Sequence, residues 1–572
     1  MKLALGLFHF NIAEVSGEIS APHRYCTQVV LPFLHAIKAE PSLRVTFEMA
    51  GSGLEFLAEH YPTAIDLLRD LVARRQIELV SSTYAPTLWV AFPWRDLEKS
   101  ILLNRKVLEK LDLKAAPVFF AQEGFFGPGL EVVSDWFDVA VCRDTTLRYF
   151  SDPVNPAPAY KAGRLTVIVG ANHLLNEIAS AIIAETENGR NPSMSLAHEA
   201  RVQEAVQSSF QSQSDCIEGE SNGTAWHWYH VGSAHHFTTT GSPQNWENFF
   251  CDPEWMNVTA GALLRLSEHE FQPGSIMEFA RQVERQQLQP LIRVIEADWS
   301  PKLTQGVYAW MGRHEHRWEA GSALLTVIWR ARHAVRKLEW ALDCLGQEPS
   351  QRFAPQMNEI WRQLILAESS GPFGGSTLPI DVNSGREQGD RVLQVCAALR
   401  EQLPACPRAS LRQPVRFGEA MPVTVEAVAT SELLGGEGRI QWQRTSESLY
   451  ICEVRLRSED NLCGVRFKRE TEGVTYCPSC AEHKPVTIPA DEFPKGEFYL
   501  PLANGLISLS EKLHLIRENC TTAVAARVSS EDSWVRFATS GMAEGRVFEW
   551  RFHLHCGTLE DAVAAANRIN DI

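Results

Sequence analysis

The chain has 572 residues, 45% hydrophobic and 22% charged, and a formal net charge of −16 with a pI near 5.6. This composition is typical of a soluble globular protein of about two to four domains. The acidic balance argues against nucleic acid or an anionic membrane as the main partner, and apolar runs stay below the roughly 18 residues of a membrane span. The 13 cysteines lack a disulfide-framework spacing, which favours a reducing compartment, so we expect a cytoplasmic protein.

Apolar runs alternate with amphipathic helical patterns over residues 1–150. Strands are predicted at Leu3–Phe10, Leu43–Met49, Ile77–Val80, Pro117–Ala121 and Val139–Cys142. Helices are predicted at Arg24–Ala39, Leu54–Arg75, Asp96–Leu111 and Leu130–Phe137. No small-residue cleavage pattern follows the first run closely, so we interpret that run as a buried strand and not as a signal peptide. The alternation predicts βαβ units, and therefore an α/β fold with a parallel sheet or barrel.

Polar residues stand at or near the ends of these strands: His9, Asn11, Glu48, Ser52, Glu78 and Glu123. Glu123 ends an aromatic run and is followed by the break at Gly127-Pro128. Because the C-terminal strand ends of a barrel carry its chemistry, Glu123 is a candidate catalytic carboxylate and the other residues predict a site along the same rim. The alternative is a salt-bridged Glu123 at the barrel mouth, or an exposed one in the next loop.

The aromatic and histidine cluster at residues 226–236 includes Trp226 and Trp228. These rings suit stacking on sugars, but an irregular surface loop packed by its own aromatics explains them equally well. Its His residues match no zinc-site spacing, so we predict no metal. Residues 250–405 carry long helical patterns, including Gly274–Glu284, His316–Leu345 and Gln356–Glu368, within which Trp329 and Trp340 are interpreted as core.

From residue 406 the sequence pattern changes to short runs of alternating apolar and polar residues, separated by turn residues. This pattern predicts an all-β domain, interpreted as a sandwich that braces the barrel or binds glycan. Within it Cys477 and Cys480 have CxxC spacing, but a zinc ribbon needs a second pair, so we interpret them as buried or surface thiols.

Several of these motifs together resemble glycoside hydrolase family 57. His9-Phe10 is similar to the family's opening His motif, Gln76-Ile77-Glu78 to its second and Ala121-Gln122-Glu123 to its third. The fourth motif, an Asp-x-Glu before a glycine, falls on Glu218 and Glu220, with Glu218 in place of the Asp; Asp215 is the alternative. The segment from Ala297 to Trp318, and later Ala367–Phe373, resemble further family segments.

The resemblance implies a fold and a chemistry. It implies an incomplete (β/α) barrel of about seven strands, a helical subdomain and a β-sandwich-like domain, which we place at residues 1–290, 291–405 and 406–572. It makes Glu123 the nucleophile of a retaining α-glucan hydrolase or transglycosylase of the amylase or 4-α-glucanotransferase type, and Glu218 or Asp215 the acid/base. The residues expected to hold the sugar are His9, Asn11, Glu78, Glu220, Trp226, Trp228, Trp299 and Trp310.

This chemistry requires neither a metal nor an organic cofactor, and its partner is an oligo- or polysaccharide, with homo-oligomerisation left open. Because Glu218 stands in place of the family's Asp, an alternative hypothesis is a catalytically inactive glucan-binding or scaffolding protein on the same fold. A deacetylase on a similar barrel would need an Asp/His/His metal set, which the sequence does not offer.

Overall fold

The computed structural model describes residues 2–10, 12, 21–121, 127, 129–143, 159–170, 226–231, 271–285, 288, 290, 318–373, 379–403, 421–422, 429–459, 462–478, 485–490, 497–500, 502, 505–519, 526–529, 532–540 and 547–570. The chain divides into two compact units. The first comprises residues 1–86, 101–124 and 133–292, and the second comprises residues 87–100, 125–132 and 293–572. The three-domain division at residues 290 and 405 stays a prediction.

The described strands of the first unit form two largely parallel sheets. They are β1 (Lys2–Phe10), β2 (Val45–Met49), β3 (Ile77–Val80), β4 (Val118–Phe120), β5 (Val139–Arg143), β6 (Ala159–Ala162), β7 (Leu165–Gly170), β8 (Trp226–Val231) and β9 (Phe271–Gly274). The first sheet has the order β3-β2-β1-β8, with β9 also parallel to β1. The second has the order β4-β5-β7-β6, in which only β6 is antiparallel among these described strands.

Ser82 connects the edges of the two sheets. Its hydroxyl donates to the Val118 carbonyl (3.1 Å) and accepts from the Phe120 amide (2.8 Å), and the Ala116 amide donates to the Leu79 carbonyl (2.7 Å). Apolar side chains of both sheets share one core, among them Leu3, Leu5, Leu7, Val80, Val118, Phe120, Val139, Val141 and Ile168. The predicted α/β fold with parallel strands is therefore confirmed, while the number of strands in a barrel stays a prediction.

Helices connect these strands. They are α1 (Ala21–Tyr25), a π-helical turn (Cys26–Val30), α2 (Leu31–Ala39), α3 (Gly51–His60), α4 (Pro62–Ala73), α5 (Trp94–Lys110), whose residues from Ile101 belong to this unit, and α6 (Ile276–Val283). The predicted helix at Leu130–Phe137 is instead a 3₁₀ helix over Leu130–Asp135. The helix predicted from Gly274 begins two residues later, because Gly274 ends β9 and Ser275 caps α6 by accepting from the Glu278 amide (3.2 Å).

The helices of the second unit are α7 (Trp318–Leu345), α8 (Gln347–Ala367), α9 (Ser370–Phe373) and α10 (Pro379–Gln402). The first half of α5 and a short 3₁₀ helix (Trp89–Ala91) also belong to this unit. The helical pattern predicted from residue 316 is confirmed, and the core interpretation of Trp329 agrees with its 3% exposure. None of the described helices is long and apolar enough to cross a membrane.

The β-rich prediction is confirmed for the C-terminal part. Its described strands are β10 (Met421–Pro422), β11 (Ser431–Leu434), β12 (Gly436–Arg444), β13 (Leu449–Ser458), β14 (Leu462–Lys468), β15 (Val474–Tyr476), β16 (Val486–Ile488), β17 (Glu497–Leu500), β18 (Leu506–Ser508), β19 (Leu513–Arg517), β20 (Ala526–Ser529), β21 (Trp534–Ser540) and β22 (Val547–Cys556). They form antiparallel sheets of order β10-β12-β13-β22-β19-β18-β15-β16 and β11-β14-β21-β20-β17. Phe467 of one sheet meets Phe552 of the other at 5.1 Å between ring centroids, so the sheets pack face to face.

The C-terminal helix α11 (Leu559–Ile569) was not expected from the sequence. It covers a buried cluster that contains Cys477, Leu506 and Ile516. Cys477 is fully buried there, which agrees with a structural thiol, and Cys480 lies outside the described residues.

Candidate active site at the strand ends

The register of β1 and β2 places His9 directly opposite Glu48. Side chains of paired residues in a parallel sheet share a face, and residues two apart along a strand do the same. His9 therefore lies on the face of Leu3, Leu5 and Leu7, which line the core, but nearer the C-terminal strand end. His9 and Glu48 are exposed by only 3% and 4%.

The two side chains satisfy each other. His9 Nδ1 is hydrogen-bonded to Glu48 Oε2, and the ring of Phe120 stacks on the imidazole with centroids 5.0 Å apart. A buried carboxylate is stable only when it is paired, and this bond meets that requirement. The bond to Nδ1 also fixes the orientation of the ring.

Glu78 lies two residues nearer the N-terminal ends of the strands than this pair. Its register partner is Thr46, two residues before Glu48 on β2, so it does not share the level of His9. Its carboxylate accepts from Thr46 Oγ1 (3.2 Å) and from the Met277 amide (3.2 Å) in the first turn of α6. Burial raises the pKa of Glu78, against the lowering effect of hydrogen bonds from Ser275, Met277 and Thr46. Glu78 therefore does not lie beside His9, and its contact with the Met277 amide is that of a helix cap, while its sugar-binding role stays a prediction.

Trp226 and Trp228 lie in β8 and not in an irregular loop. Their backbone pairs in parallel with Leu3 and Leu5 of β1. The loop interpretation of this cluster is therefore wrong over Trp226–Val231, and the sugar-stacking role stays a prediction. The remaining site residues lie outside the described residues: Asn11, Glu123, Asp215, Glu218, Glu220, Trp299 and Trp310.

Phe120 is a site residue that the sequence argument did not select, and Glu48 was selected as a strand-end residue without its partner. In the sequence, the signal for Glu48 was a carboxylate inside a short apolar run. In the structure, every residue of β2 is buried. A buried charge requires a partner, and the strand pairing, which the sequence does not supply, identifies it as His9. Among the described residues no group of three or more His, Cys, Asp or Glu could hold a metal ion.

Comparison with known proteins agrees with this picture. Residues 20–132, which include Glu48, Glu78 and Phe120, match the family model Glycosyl hydrolase family 57. An alpha-amylase of Pyrococcus horikoshii is 29% identical over 91 residues, which are 16% of this chain and 14% of that protein. The matched part therefore spans about a seventh of the curated relative.

Two solved structures resemble the chain at low identity. The GH57-type branching enzyme of Pyrococcus horikoshii has a TM-score of 0.54 at 11% identity, covering 69% of this chain and 88% of that one. An alpha-mannosidase from Enterococcus faecalis has a TM-score of 0.58 at 10% identity, covering 99% of this chain and 88% of that one. At such identities the likeness concerns the fold alone.

The parallel strands with polar residues near their C-terminal ends define an α/β fold like that of these solved structures. The family match over residues 20–132 and the curated relatives agree with the resemblance to glycosyl hydrolase family 57 that the sequence motifs predicted.

Proposed function

We propose that the chain is a retaining glycoside hydrolase or transglycosylase that acts on α-glucans. Glu123 is its nucleophile, and Glu218 (or Asp215) is its acid/base. The observation that carries the proposal is the buried His9–Glu48 pair under the ring of Phe120, near the C-terminal ends of β1, β2 and β4. Glu123 follows Phe120 by three residues along the chain.

The proposed reaction is a double displacement. Glu123 attacks the anomeric carbon and forms a glycosyl-enzyme, while the acid/base protonates the leaving oxygen and then activates water or an acceptor hydroxyl. Two carboxyl groups in these roles stand about 5–5.5 Å apart. The nucleophile has to stay ionised, whereas the acid holds its proton until the glycosidic bond breaks.

His9 is proposed to bind a sugar hydroxyl through Nε2, with Glu48 as its positioning residue. Because Glu48 holds Nδ1–H, the ring keeps one tautomer and one orientation during the reaction. The further proposed sugar contacts are Asn11, Glu78, Glu220, Trp226, Trp228, Trp299 and Trp310. For Glu78 this role requires that it exchange its contact with Met277 for one with the sugar.

An inactive glucan-binding protein is the second candidate, and the observation in its favour is Glu218 in place of the family's Asp. A Glu side chain is one methylene longer, so it delivers a proton to the same place only if the backbone lies correspondingly farther away.

The test is turnover of malto-oligosaccharides and amylose by the whole chain, followed by chromatography of the products. We expect hydrolysis or chain transfer that is lost in Glu123→Gln, reduced about 10²–10⁴-fold in the variant of the true acid/base, and unchanged in Glu59→Gln, where an exposed carboxylate is neutralised. A fluorinated glucosyl fluoride should leave a covalent adduct on Glu123, located by mass spectrometry. Glucan binding without turnover or adduct would instead establish the binding protein.

A further inference from the structure

The second unit contains a buried cluster of charged side chains that the proposed reaction does not use. It consists of Asp96 on α5, Arg332 on α7 and Glu368, the residue that follows α8. All three side chains are 0% exposed. Complete burial of three ionisable groups is rare, because each loses its hydration.

The contacts in the cluster are unequal. Arg332 Nε donates to Asp96 Oδ2 at 2.6 Å, and the guanidinium lies over the ring of Trp329 at 5.2 Å. In the described part of the chain, no N–H or O–H donor reaches Asp96 Oδ1 or either Glu368 side-chain oxygen. The charged groups that act on Glu368 are the Asp96 carboxyl, which is only an acceptor when ionised, and the Arg332 guanidinium.

The backbone holds Glu368 in place. Its carbonyl accepts from the Leu88 amide at 3.0 Å, and Ser369 forms a β-bridge with Thr87. Glu368 therefore sits where the buried segment of residues 87–92 docks on the helices of this unit. That segment carries no titratable side chain.

The charges in the cluster do not balance. Two carboxylates face one guanidinium, so the fully ionised cluster would hold an uncompensated negative charge away from water. Burial raises the pKa of Glu368 well above its usual range, and the charge of Asp96 raises it further, against the lowering effect of Arg332. Arg332 donates to Asp96, whereas neither Glu368 side-chain oxygen has a donor among the described residues.

A neighbouring cluster on the same helices shows the opposite balance. The carboxylate of Glu339 lies near three cations, Arg95, Lys99 and Arg336, and accepts from Trp361 Nε1 at 2.8 Å. Its pKa is lowered: these partners, with Arg95 the strongest, outweigh the opposing effect of burial. These cations are engaged with Glu339, and His333 on α7 acts on Glu518, so Arg332 is the cation left to Glu368.

We propose that Asp96 and Glu368 share one proton at neutral pH, and that this proton, with Arg332, makes the buried centre electrically neutral. A metal ion is a poor substitute for this proton, because the positively charged Arg332 is already bonded to Asp96. The centre is then a proton-binding site that couples the docking of residues 87–92 to pH. Folding takes up this proton, so its contribution to stability is complete at acidic pH and is lost as pH rises through the range in which folded Glu368 ionises.

Infrared spectroscopy of the whole chain at neutral pH tests the proposal. A protonated carboxyl has a C=O stretch apart from the carboxylate bands, and it shifts in D₂O. We expect Glu368→Gln to lose the intensity of one such carboxyl, and Glu387→Gln, which alters an exposed carboxylate on α10, to lose none. Burial also raises the pKa of Glu78, so Glu78 could contribute a band of its own. The assignment to Glu368 therefore depends on the intensity lost in Glu368→Gln and not on the presence of a band.

The variant Asp96→Asn distinguishes a proton shared by Asp96 and Glu368 from a proton that Glu368 holds alone. Without the charge of Asp96, Glu368 should ionise opposite Arg332, so the same intensity is lost although Glu368 is intact. In parallel, proton uptake on refolding at neutral pH should fall by one in either variant. Unchanged intensity in Glu368→Gln or in Asp96→Asn would overturn the proposal, as would a stability increase on adding Mg²⁺, Ca²⁺ or K⁺ that both variants abolish.

Discussion

His9 and Glu48 are hydrogen-bonded between two adjacent parallel strands, at the same level of the sheet and with both side chains buried. The pair lies on the face of β1 on which Leu3, Leu5 and Leu7 line the core. Such a placement costs stability unless each polar group finds a partner, so the pair depends on both of its members.

Removal of Glu48 should destabilise the first unit. Glu48→Ala removes the carboxylate that is hydrogen-bonded to the buried imidazole, and we expect a loss of about 1–3 kcal/mol in the free energy of unfolding, measured with urea. Glu48→Gln should lose less, because the amide oxygen still accepts from Nδ1–H. Glu59→Ala is the matched control, since Glu59 is exposed on α3. The role given to the pair is wrong if Glu48→Ala and Glu59→Ala behave alike.

Glu78 should make the stability of the first unit depend on pH. Burial raises its pKa in the folded state above the unfolded value. The stability that it contributes is therefore complete at a pH below the unfolded pKa and is lost as pH rises through the folded pKa. Glu78→Gln keeps an acceptor for the Met277 amide but cannot ionise, so urea midpoints of this variant should decline less with rising pH than those of wild type. Glu109→Gln, an exposed change on α5, should leave the wild-type slope intact.

Gly51, the first residue of α3, has no room for a side chain. A Cβ at this position would clash with Asn104 Oδ1 and lie 3.3 Å from Asn104 Cγ and 3.4 Å from Tyr84 Cα. Asn104 cannot easily move, because its Nδ2 donates to the Ser81 carbonyl at 2.7 Å.

We expect Gly51→Ala to lower the free energy of unfolding by about 1–3 kcal/mol, the usual effect of overpacking a core. Ser52→Ala at the next position is the control and should be nearly neutral, because the buried Ser52 hydroxyl has no hydrogen-bond partner among the described residues. A thermal unfolding experiment in which Gly51→Ala melts with wild type would show that the site relaxes freely.

The sequence predicted the parallel strands well because each is a short apolar run bounded by turn residues. Ile77–Val80 has the predicted bounds. It failed at Trp226–Val231, because aromatic and His residues in succession give no clear alternation, although this segment is a strand paired in parallel with β1. It also failed at Phe271–Gly274, a short strand that merges with the helix pattern that follows it.

The candidate site was predictable only in part. His9 and Glu78 were selected as strand-end residues, but their levels depend on strand register, which sets Glu78 opposite Thr46 and not beside His9. Register follows from pairing between segments distant in sequence, so no local pattern contains it. The same holds for Asp96 and Arg332, which are separated by 236 positions and whose ion pair no spacing rule could have indicated.

The measurement that tests the proposed function most directly is the anomeric configuration of the first products released from an α-glucan, followed by NMR before mutarotation. A double displacement through Glu123 predicts that the α-anomer appears first with wild type and that neither anomer appears with Glu123→Gln. Initial release of the β-anomer, or an unchanged rate in Glu123→Gln, would contradict the proposed mechanism.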